Sequence, residues 1–178
     1  SIIGPRQVGK TTLAKQIIAD LKVPSIYLDL ERTSDLFKLE NAELFLSQNK
    51  NKLIVIDEVQ LKKDLYPLLR SLVDETNKPG QFLLLGSASP ELIRHSSESL
   101  AGRIAYHQLH PIDLVEAPET ISQNDLWLKG GFPKALFARS DMAQEWMENF
   151  ISTYLNRDLL QLGLNASPTV IRNLWSMM

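Results

Sequence analysis

Nine residues near the start of the chain have the types and the spacing that a phosphate-binding loop requires. They match the pattern G-x-x-x-x-G-K-[ST] at every fixed position and read Gly4-Pro5-Arg6-Gln7-Val8-Gly9-Lys10-Thr11-Thr12. In such a loop the glycines let backbone N–H groups turn toward phosphates, the lysine reaches the β- and γ-phosphates, and the hydroxyl holds Mg²⁺. The pattern therefore predicts a nucleoside triphosphate site in which Lys10 meets phosphate and Thr11 meets the metal.

A pair of carboxylates forms the second candidate group. Asp57 and Glu58 follow the apolar run 53–56, which is typical of a parallel strand buried on both faces. Because α/β sheets bind ligands at the carboxyl ends of their strands, both carboxylates are expected at that edge. We expect Asp57 to hold Mg²⁺ through water and Glu58 to polarise a water for attack on the γ-phosphate. The pair therefore favours hydrolysis.

Ser87 is a further candidate, since it ends the next apolar run, 81–86. In P-loop proteins with an added glutamate, this later strand lies between the loop strand and the strand that ends in Asp57. Its end would then point at the γ-phosphate. Ser87 is thus a candidate polar sensor of that phosphate. A serine that only caps the helix beginning at Pro90 is an equal alternative.

The elements that must position these residues alternate between strand and helix patterns. Ile2-Ile3 is the end of a shortened first strand, and further strands are expected at 25–30, 53–56, 81–86 and 104–109. Helical patterns between them, one of them over residues 61–76, predict an α/β fold, a three-layer P-loop NTPase with a parallel five-stranded sheet. From Pro118 onward only helical patterns occur. We therefore expect a nucleotide-binding domain over residues 1–116 and a helical, lid-like unit over 117–178, truncated at its C-terminus.

The composition narrows the classes of partner. Of the 178 residues, 44% are hydrophobic, enough to bury a core, and the formal net charge is −2. With its basic residues scattered, the chain has no strong field to recruit nucleic acid or an acidic membrane, although a local patch still allows an unknown protein or nucleic-acid partner. Cysteine is absent, and no apolar run reaches the roughly 18 residues of a membrane span. We expect a cytoplasmic protein without a membrane partner.

Six blocks of sequence together resemble predicted prokaryotic P-loop ATPases of the AAA+ superfamily, of the AAA_14 type that is usually followed by a DUF4143 region. The first two blocks are shared by P-loop ATPases in general, and the later four, in this order, are specific. The blocks are residues 4–13, Ile56-Asp57-Glu58-Val59-Gln60, Gly86-Ser87-Ala88-Ser89, Glu98-Ser99-Leu100-Ala101-Gly102-Arg103, Gly130-Gly131-Phe132-Pro133 and Tyr154-Leu155-Asn156-Arg157-Asp158.

The resemblance implies that Lys10 and Thr11 serve ATP and Mg²⁺, that Asp57 serves the metal and that Glu58 serves the water. Arg103 follows a helix and precedes the fifth strand. Ring-forming ATPases of this superfamily place an arginine finger there, acting on a neighbouring subunit's nucleotide, which implies a homo-oligomer. The alternative for Arg103 is a surface arginine paired with Glu98. Arg157, in the last block, is either a lid arginine that reaches phosphate or a surface residue in a salt bridge.

Two other classes of function stay open. A small-molecule P-loop kinase fits the chain length, but Glu58 beside Asp57 argues against it. A nucleotide-gated scaffold for a DNA- or partner-binding module would bind ATP tightly with negligible turnover. GTP selectivity is disfavoured, because Asn77-Lys78-Pro79-Gly80 lacks the aspartate of the guanine-reading pattern Asn-Lys-x-Asp.

Overall fold

The computed structural model describes residues 1–76, 78–87, 96, 98–159 and 167–177. The chain forms two compact units, residues 1–109 and 110–178. Asn77, Ser89 and the predicted helix start at Pro90 lie outside the described residues.

The first unit is built on a parallel sheet of five strands. Its spatial order is β2-β3-β4-β1-β5, and every described pairing is parallel. The predicted five-stranded sheet is thereby confirmed, with β4 between β1 and β3 as expected. The strands are β1 (Ile2–Gly4), β2 (Ser25–Asp29), β3 (Leu53–Asp57), β4 (Phe82–Ser87) and β5 (His107–Gln108).

Helices cover both faces of this sheet, and β3 shows why. Successive side chains of a strand point to opposite faces. Ile54 and Ile56 belong to the larger buried cluster, whereas Val55 belongs to a smaller cluster with Ala14. The near-continuous apolar run of β3 is thus buried on both sides, which gives the predicted three layers. The helices of this unit whose bounds lie within the described residues are α1 (Lys10–Leu21), α2 (Thr33–Lys38), α3 (Ala42–Gln48) and α4 (Leu65–Thr76).

Two elements are shorter than the sequence predicts. The fifth strand was expected over 104–109, but only His107–Gln108 is strand, because the neighbouring β1 has just three residues to pair with. The helix expected from residue 61 is preceded by a 3₁₀ turn, Val59–Leu61, and begins at Leu65. The reason is the left-handed backbone of Glu58, with φ of 54°, which turns the chain sharply where β3 ends.

The described part of the second unit contains helices and no strand. Three rings, of Phe132, Trp146 and Phe150, pack together with centroids 4.7 to 5.8 Å apart. A π-helical turn over Tyr154–Asp158 follows the longest helix. The predicted domain boundary after residue 116 stays a prediction. The helices are α5 (Gln123–Lys129), α6 (Pro133–Leu136), α7 (Ser140–Thr153) and α8 (Pro168–Met177).

Among the described residues, no helix has both the length and the apolar character that crossing a membrane requires.

Candidate nucleotide-binding site

The loop between β1 and α1 has a backbone that its two glycines make possible. Gly9 has φ of 107°, a conformation that side chains with a Cβ rarely adopt. Gly4 is needed for a different reason: a Cβ there would lie 2.4 Å from the carbonyl oxygen of Leu109. Both fixed glycines of the motif are therefore required by the local conformation and packing.

Lys10 points back into this loop. Its side chain is only 6% exposed, and Nζ donates hydrogen bonds to the carbonyl oxygens of Gly4 at 3.0 Å and Pro5 at 2.8 Å. Burial lowers the pKa of the Lys10 ammonium, while the nearby carboxylates of Glu58 and Asp57 oppose that shift. The ammonium is thus held inside the loop with carboxylates near it.

The first turn of α1 adds a site for anions. A helix leaves its first backbone N–H groups without partners inside the helix. Here the N-cap residue, Gly9, has no side chain to bind them, and no acidic residue lies in the first turn. The helix dipole also favours negative charge at this end. The twelve-residue α1 therefore presents its N-terminus to the same loop that holds Lys10.

Thr11 and Asp57 come together although they are 46 residues apart in sequence. Thr11 Oγ1 donates a hydrogen bond of 2.7 Å to Asp57 Oδ2 at the carboxyl end of β3. The two side chains thus bring a hydroxyl and a carboxylate oxygen, donors of the kind that Mg²⁺ takes, to one point at the edge of the sheet.

Glu58 lies directly beyond this pair. Its backbone N–H donates to Asp57 Oδ1 at 3.0 Å, and its own Oε2 accepts a hydrogen bond from Gln60 Nε2. The left-handed backbone at Glu58 separates the direction of its side chain from that of Asp57. The two neighbouring carboxylates thus have different partners.

Ser87 ends β4 directly beside the loop. In the pairing of β1 with β4, Ser87 is the partner of Gly4. Since β4 lies between β1 and β3, Ser87 stands at the edge of the sheet where the loop begins and Asp57 ends its strand. Its alternative role, capping the helix at Pro90, falls on residues that the structure does not describe.

Arg103 lies at the other edge of the sheet from the loop, because it precedes β5 whereas the loop follows the parallel strand β1. Its guanidinium makes a two-pronged contact with the carboxylate of Asp74 on α4, with Nη2 and Oδ2 2.9 Å apart. Nη1 donates to the carbonyl oxygen of Ala101 at 2.8 Å. Hydrogen bonds from Arg103 lower the pKa of the Asp74 carboxyl. The alternative to the finger role named Glu98 as the partner of Arg103, and these hydrogen bonds go to Asp74 and Ala101 instead.

Arg157 lies in the second unit, on the exposed side of the π-helical turn. Its role as a lid arginine stays a prediction.

Sequence reasoning missed Tyr27. Its hydroxyl donates a hydrogen bond to Asp57 Oδ2, the same oxygen that accepts from Thr11. Burial raises the pKa of the Tyr27 phenol, and the Asp57 carboxylate raises it further, so the hydroxyl stays protonated and donates. Side chains alternate along a strand, so Tyr27 lies on the same face of β2 as Asp29, which is two residues later and pairs with Asp57 of β3. This alternation was the signal that could have placed Tyr27 near Asp57.

A cavity of about 570 Å³ opens beside Tyr27 and Asp57. Its polar wall comes from α1 and β2, with Lys15, Ser25 and Asp29 among its lining residues. The candidate metal site is therefore bordered on this side by a roomy polar space.

Comparisons with known proteins agree with this geometry. Residues 1–117 match the family AAA_14, described as an AAA domain, and residues 121–178 match a domain of unknown function, DUF8612. An AAA domain followed by a domain of unknown function is the arrangement that the sequence resemblance predicts, with DUF8612 in the place where DUF4143 was expected. The AAA domain indicates a nucleotide-binding protein of the AAA type.

Two curated relatives are similar over 178 residues, 99% of the chain, at 40% identity. They are the uncharacterized protein Mb2031c of Mycobacterium bovis and the uncharacterized protein Rv2008c of Mycobacterium tuberculosis. The chain spans 40% of the length of each relative. With two thirds of its residues matched by the AAA domain, the chain belongs to the AAA_14 family of P-loop proteins.

Proposed function

We propose that this chain binds ATP together with Mg²⁺ and hydrolyses it. One observation carries the proposal: Lys10, Thr11, Asp57 and Glu58, which sequence motifs assign to phosphate, metal and water, gather at one edge of the sheet around the N-terminus of α1. Each of these residue types suits one part of phosphoryl transfer to water.

In this mechanism Lys10 exchanges the carbonyl oxygens of Gly4 and Pro5 for phosphate oxygens and neutralises their charge. The first-turn N–H groups of α1 bind the same phosphates. Thr11 directly, and Asp57 through water, would hold Mg²⁺, which would neutralise charge on the phosphates.

Glu58 orients the attacking water and accepts its proton as the water oxygen bonds to the γ-phosphorus. The bond from that phosphorus to the β–γ bridging oxygen breaks, so that ADP and inorganic phosphate leave. Ser87, beside Gly4 at the end of β4, donates a hydrogen bond to the γ-phosphate. In this proposal Glu58 therefore contacts the water, and Ser87 contacts the γ-phosphate.

The energy of hydrolysis is coupled, in this proposal, to an unknown protein or nucleic-acid partner in the cytoplasm. Arg103 acts across a homo-oligomer on the nucleotide of a neighbouring subunit, since it lies at the sheet edge away from its own loop. The ion pair with Asp74 holds the guanidinium in one orientation for that contact.

A second candidate is a nucleotide-gated scaffold with negligible turnover. The hydrogen bond from Gln60 to the Glu58 carboxylate favours it, because a carboxylate already engaged is less available to a water. The two candidates share the nucleotide site and differ only in hydrolysis.

The test compares binding and turnover in the full-length protein. Nucleotide affinity is measured by calorimetry with Mg·ATP analogues, and hydrolysis by phosphate release, with and without any protein or nucleic acid that co-purifies. Glu58→Gln should keep its affinity and lose at least about 100-fold in turnover. Glu40→Gln, at an exposed position on the same unit, is the matched control and should match wild type.

Tight binding with no phosphate release under any of these conditions would favour the scaffold. Equal loss of binding and turnover in Glu58→Gln would instead make Glu58 a metal ligand. Failure of the wild-type protein to bind nucleotide would refute both candidates.

A further inference from the structure

The Asp57 carboxylate is held by three hydrogen bonds from three parts of the first unit. Its Oδ2 accepts from the hydroxyls of Thr11, on α1, and Tyr27, on β2. Its Oδ1 accepts from the backbone N–H of Glu58 at 3.0 Å. A carboxylate offers about four lone-pair sites. Three of them are therefore used to fix the plane of this side chain.

Fixing that plane matters because the terminal torsion of an aspartate is intrinsically broad. The Thr11 hydroxyl can donate a hydrogen bond to Asp57 and still keep its oxygen lone pairs for a metal. The Thr11 hydroxyl can make both interactions only while Asp57 Oδ2 faces it. A second donor on Oδ2, from a different element, resists rotation of the carboxylate away from Thr11.

Packing contacts restrict the Tyr27 ring, which keeps its hydroxyl directed at Asp57. The ring packs against the buried cluster that contains Ala14 and Val55 beneath α1. Lys15 Nζ lies over its face, 5.6 Å from the centroid. Strand pairing adds a further constraint, because Tyr27 is opposite Val55, two residues before Asp57. The long phenol side chain spans this diagonal between neighbouring strands.

We propose that Tyr27 is a positioning residue of the magnesium site, whose hydroxyl keeps Asp57 Oδ2 turned toward Thr11. The inference rests on the proposed function and adds a residue that no motif assigns. The contact of Tyr27 with this site is its hydrogen bond to Asp57. Tyr27 acts through Asp57, as groups that hydrogen-bond to metal ligands generally do.

The matched variants are Tyr27→Phe and Tyr66→Phe. The first removes only the hydroxyl and keeps the ring packing and the Lys15 contact. The second removes a buried hydroxyl on α4 that has no hydrogen-bond partner among the described residues. Tyr66 belongs to the cluster on the other face of the sheet, so its variant controls for loss of a tyrosine hydroxyl away from the site.

The experiment measures how nucleotide affinity depends on Mg²⁺ in the full-length protein. Binding of a non-hydrolysable ATP analogue is followed by calorimetry in EDTA and over a series of Mg²⁺ concentrations. Mn²⁺ binding followed by electron paramagnetic resonance reports the metal directly. For Tyr27→Phe we expect unchanged affinity in EDTA and about a 10-fold higher Mg²⁺ concentration for half-maximal tightening, at the lower end of effects of such partners. Turnover should recover at saturating Mg²⁺, and Tyr66→Phe should match wild type.

A Mg²⁺ dependence of Tyr27→Phe within twofold of wild type overturns the inference and leaves the proposed function intact. Equal weakening in EDTA and in Mg²⁺ also overturns it, because the hydroxyl would then support the loop and not the metal site. A wild-type protein whose nucleotide binding ignores Mg²⁺ refutes the metal role of Thr11 and Asp57, and this inference with it.

Discussion

Replacing Lys10 with alanine tests the phosphate site most directly. In the structure Lys10 is only 6% exposed, and its Nζ donates to the carbonyl oxygens of Gly4 and Pro5. To meet a phosphate, the ammonium must give up these two hydrogen bonds, which contribute about 1 kcal/mol each. The gain is the attraction between the ammonium and a phosphate charge. At about 4 Å and an effective dielectric constant of about 20, that attraction is about 4 kcal/mol.

The balance is a net contribution of about 2 kcal/mol for each unit of phosphate charge that Lys10 meets, which corresponds to about 30-fold in the dissociation constant. Lys10→Ala should therefore weaken Mg·ATP binding at least about 30-fold, and more where two phosphates share the ammonium. The assay is calorimetric titration of the full-length protein with a non-hydrolysable analogue. Lys52→Ala, which removes an exposed lysine just before β3, is the matched control and should bind like wild type.

The fold of the Lys10→Ala protein must be checked by thermal unfolding, because the two carbonyls lose their donor. Pro5 is exposed, so its carbonyl can turn to water, whereas the carbonyl of the buried Gly4 loses a donor that water does not readily replace; we therefore expect a moderate fall in Tm. Affinity within threefold of wild type in a folded variant would refute the assignment of Lys10 to phosphate.

The remaining predictions concern Arg103, its partner Asp74 and the loop. Arg103→Ala should keep ATP binding and lose about 10³-fold or more in turnover, and mixing it with Glu58→Gln protein should restore part of the activity through mixed interfaces. Asp74→Ala breaks the same ion pair but keeps the guanidinium, so it should retain more turnover than Arg103→Ala. The finger role is contradicted if the wild-type protein is a monomer whose rate of ATP hydrolysis per molecule does not depend on protein concentration. Because Arg103 lowers the pKa of Asp74, this pair stabilises the fold above the unfolded pKa of about 3.9, and the contribution is lost as pH falls through the folded value. Asp74→Asn should thus show a shallower fall of Tm below about pH 4 than wild type, and parallel curves would contradict this. Gly4→Ala places a Cβ 2.4 Å from the backbone oxygen of Leu109, which cannot yield as a side chain would, so it should cost about 1–3 kcal/mol in urea unfolding; unchanged stability would show that the loop relaxes.

Local sequence was enough to predict most of the sheet. The strands β3 and β4 are runs of apolar residues covered on both faces, and such runs are recognisable without knowledge of their neighbours. The fifth strand was predicted too long because the length of a ladder depends on its partner, and β1 has only three residues. The start of α4 was predicted too early because Glu58, at the end of β3, has a left-handed backbone that turns the chain before the helix begins. Helical periodicity of apolar residues contains no information about such a turn.

Sequence by itself determined the phosphate loop, since its residues are contiguous and Gly9 answers a local demand of backbone conformation. The demand for Gly4 is tertiary, because its close neighbour is the carbonyl oxygen of Leu109. Tertiary structure alone decided the partners of the residues around the loop. Tyr27 reaches Asp57 across 30 positions, and Arg103 reaches Asp74 across 29. Such pairs depend on strand register and on which elements become neighbours in the sheet. Periodicity along the chain carries information about the face on which a residue lies, but not about the residue that the face will meet.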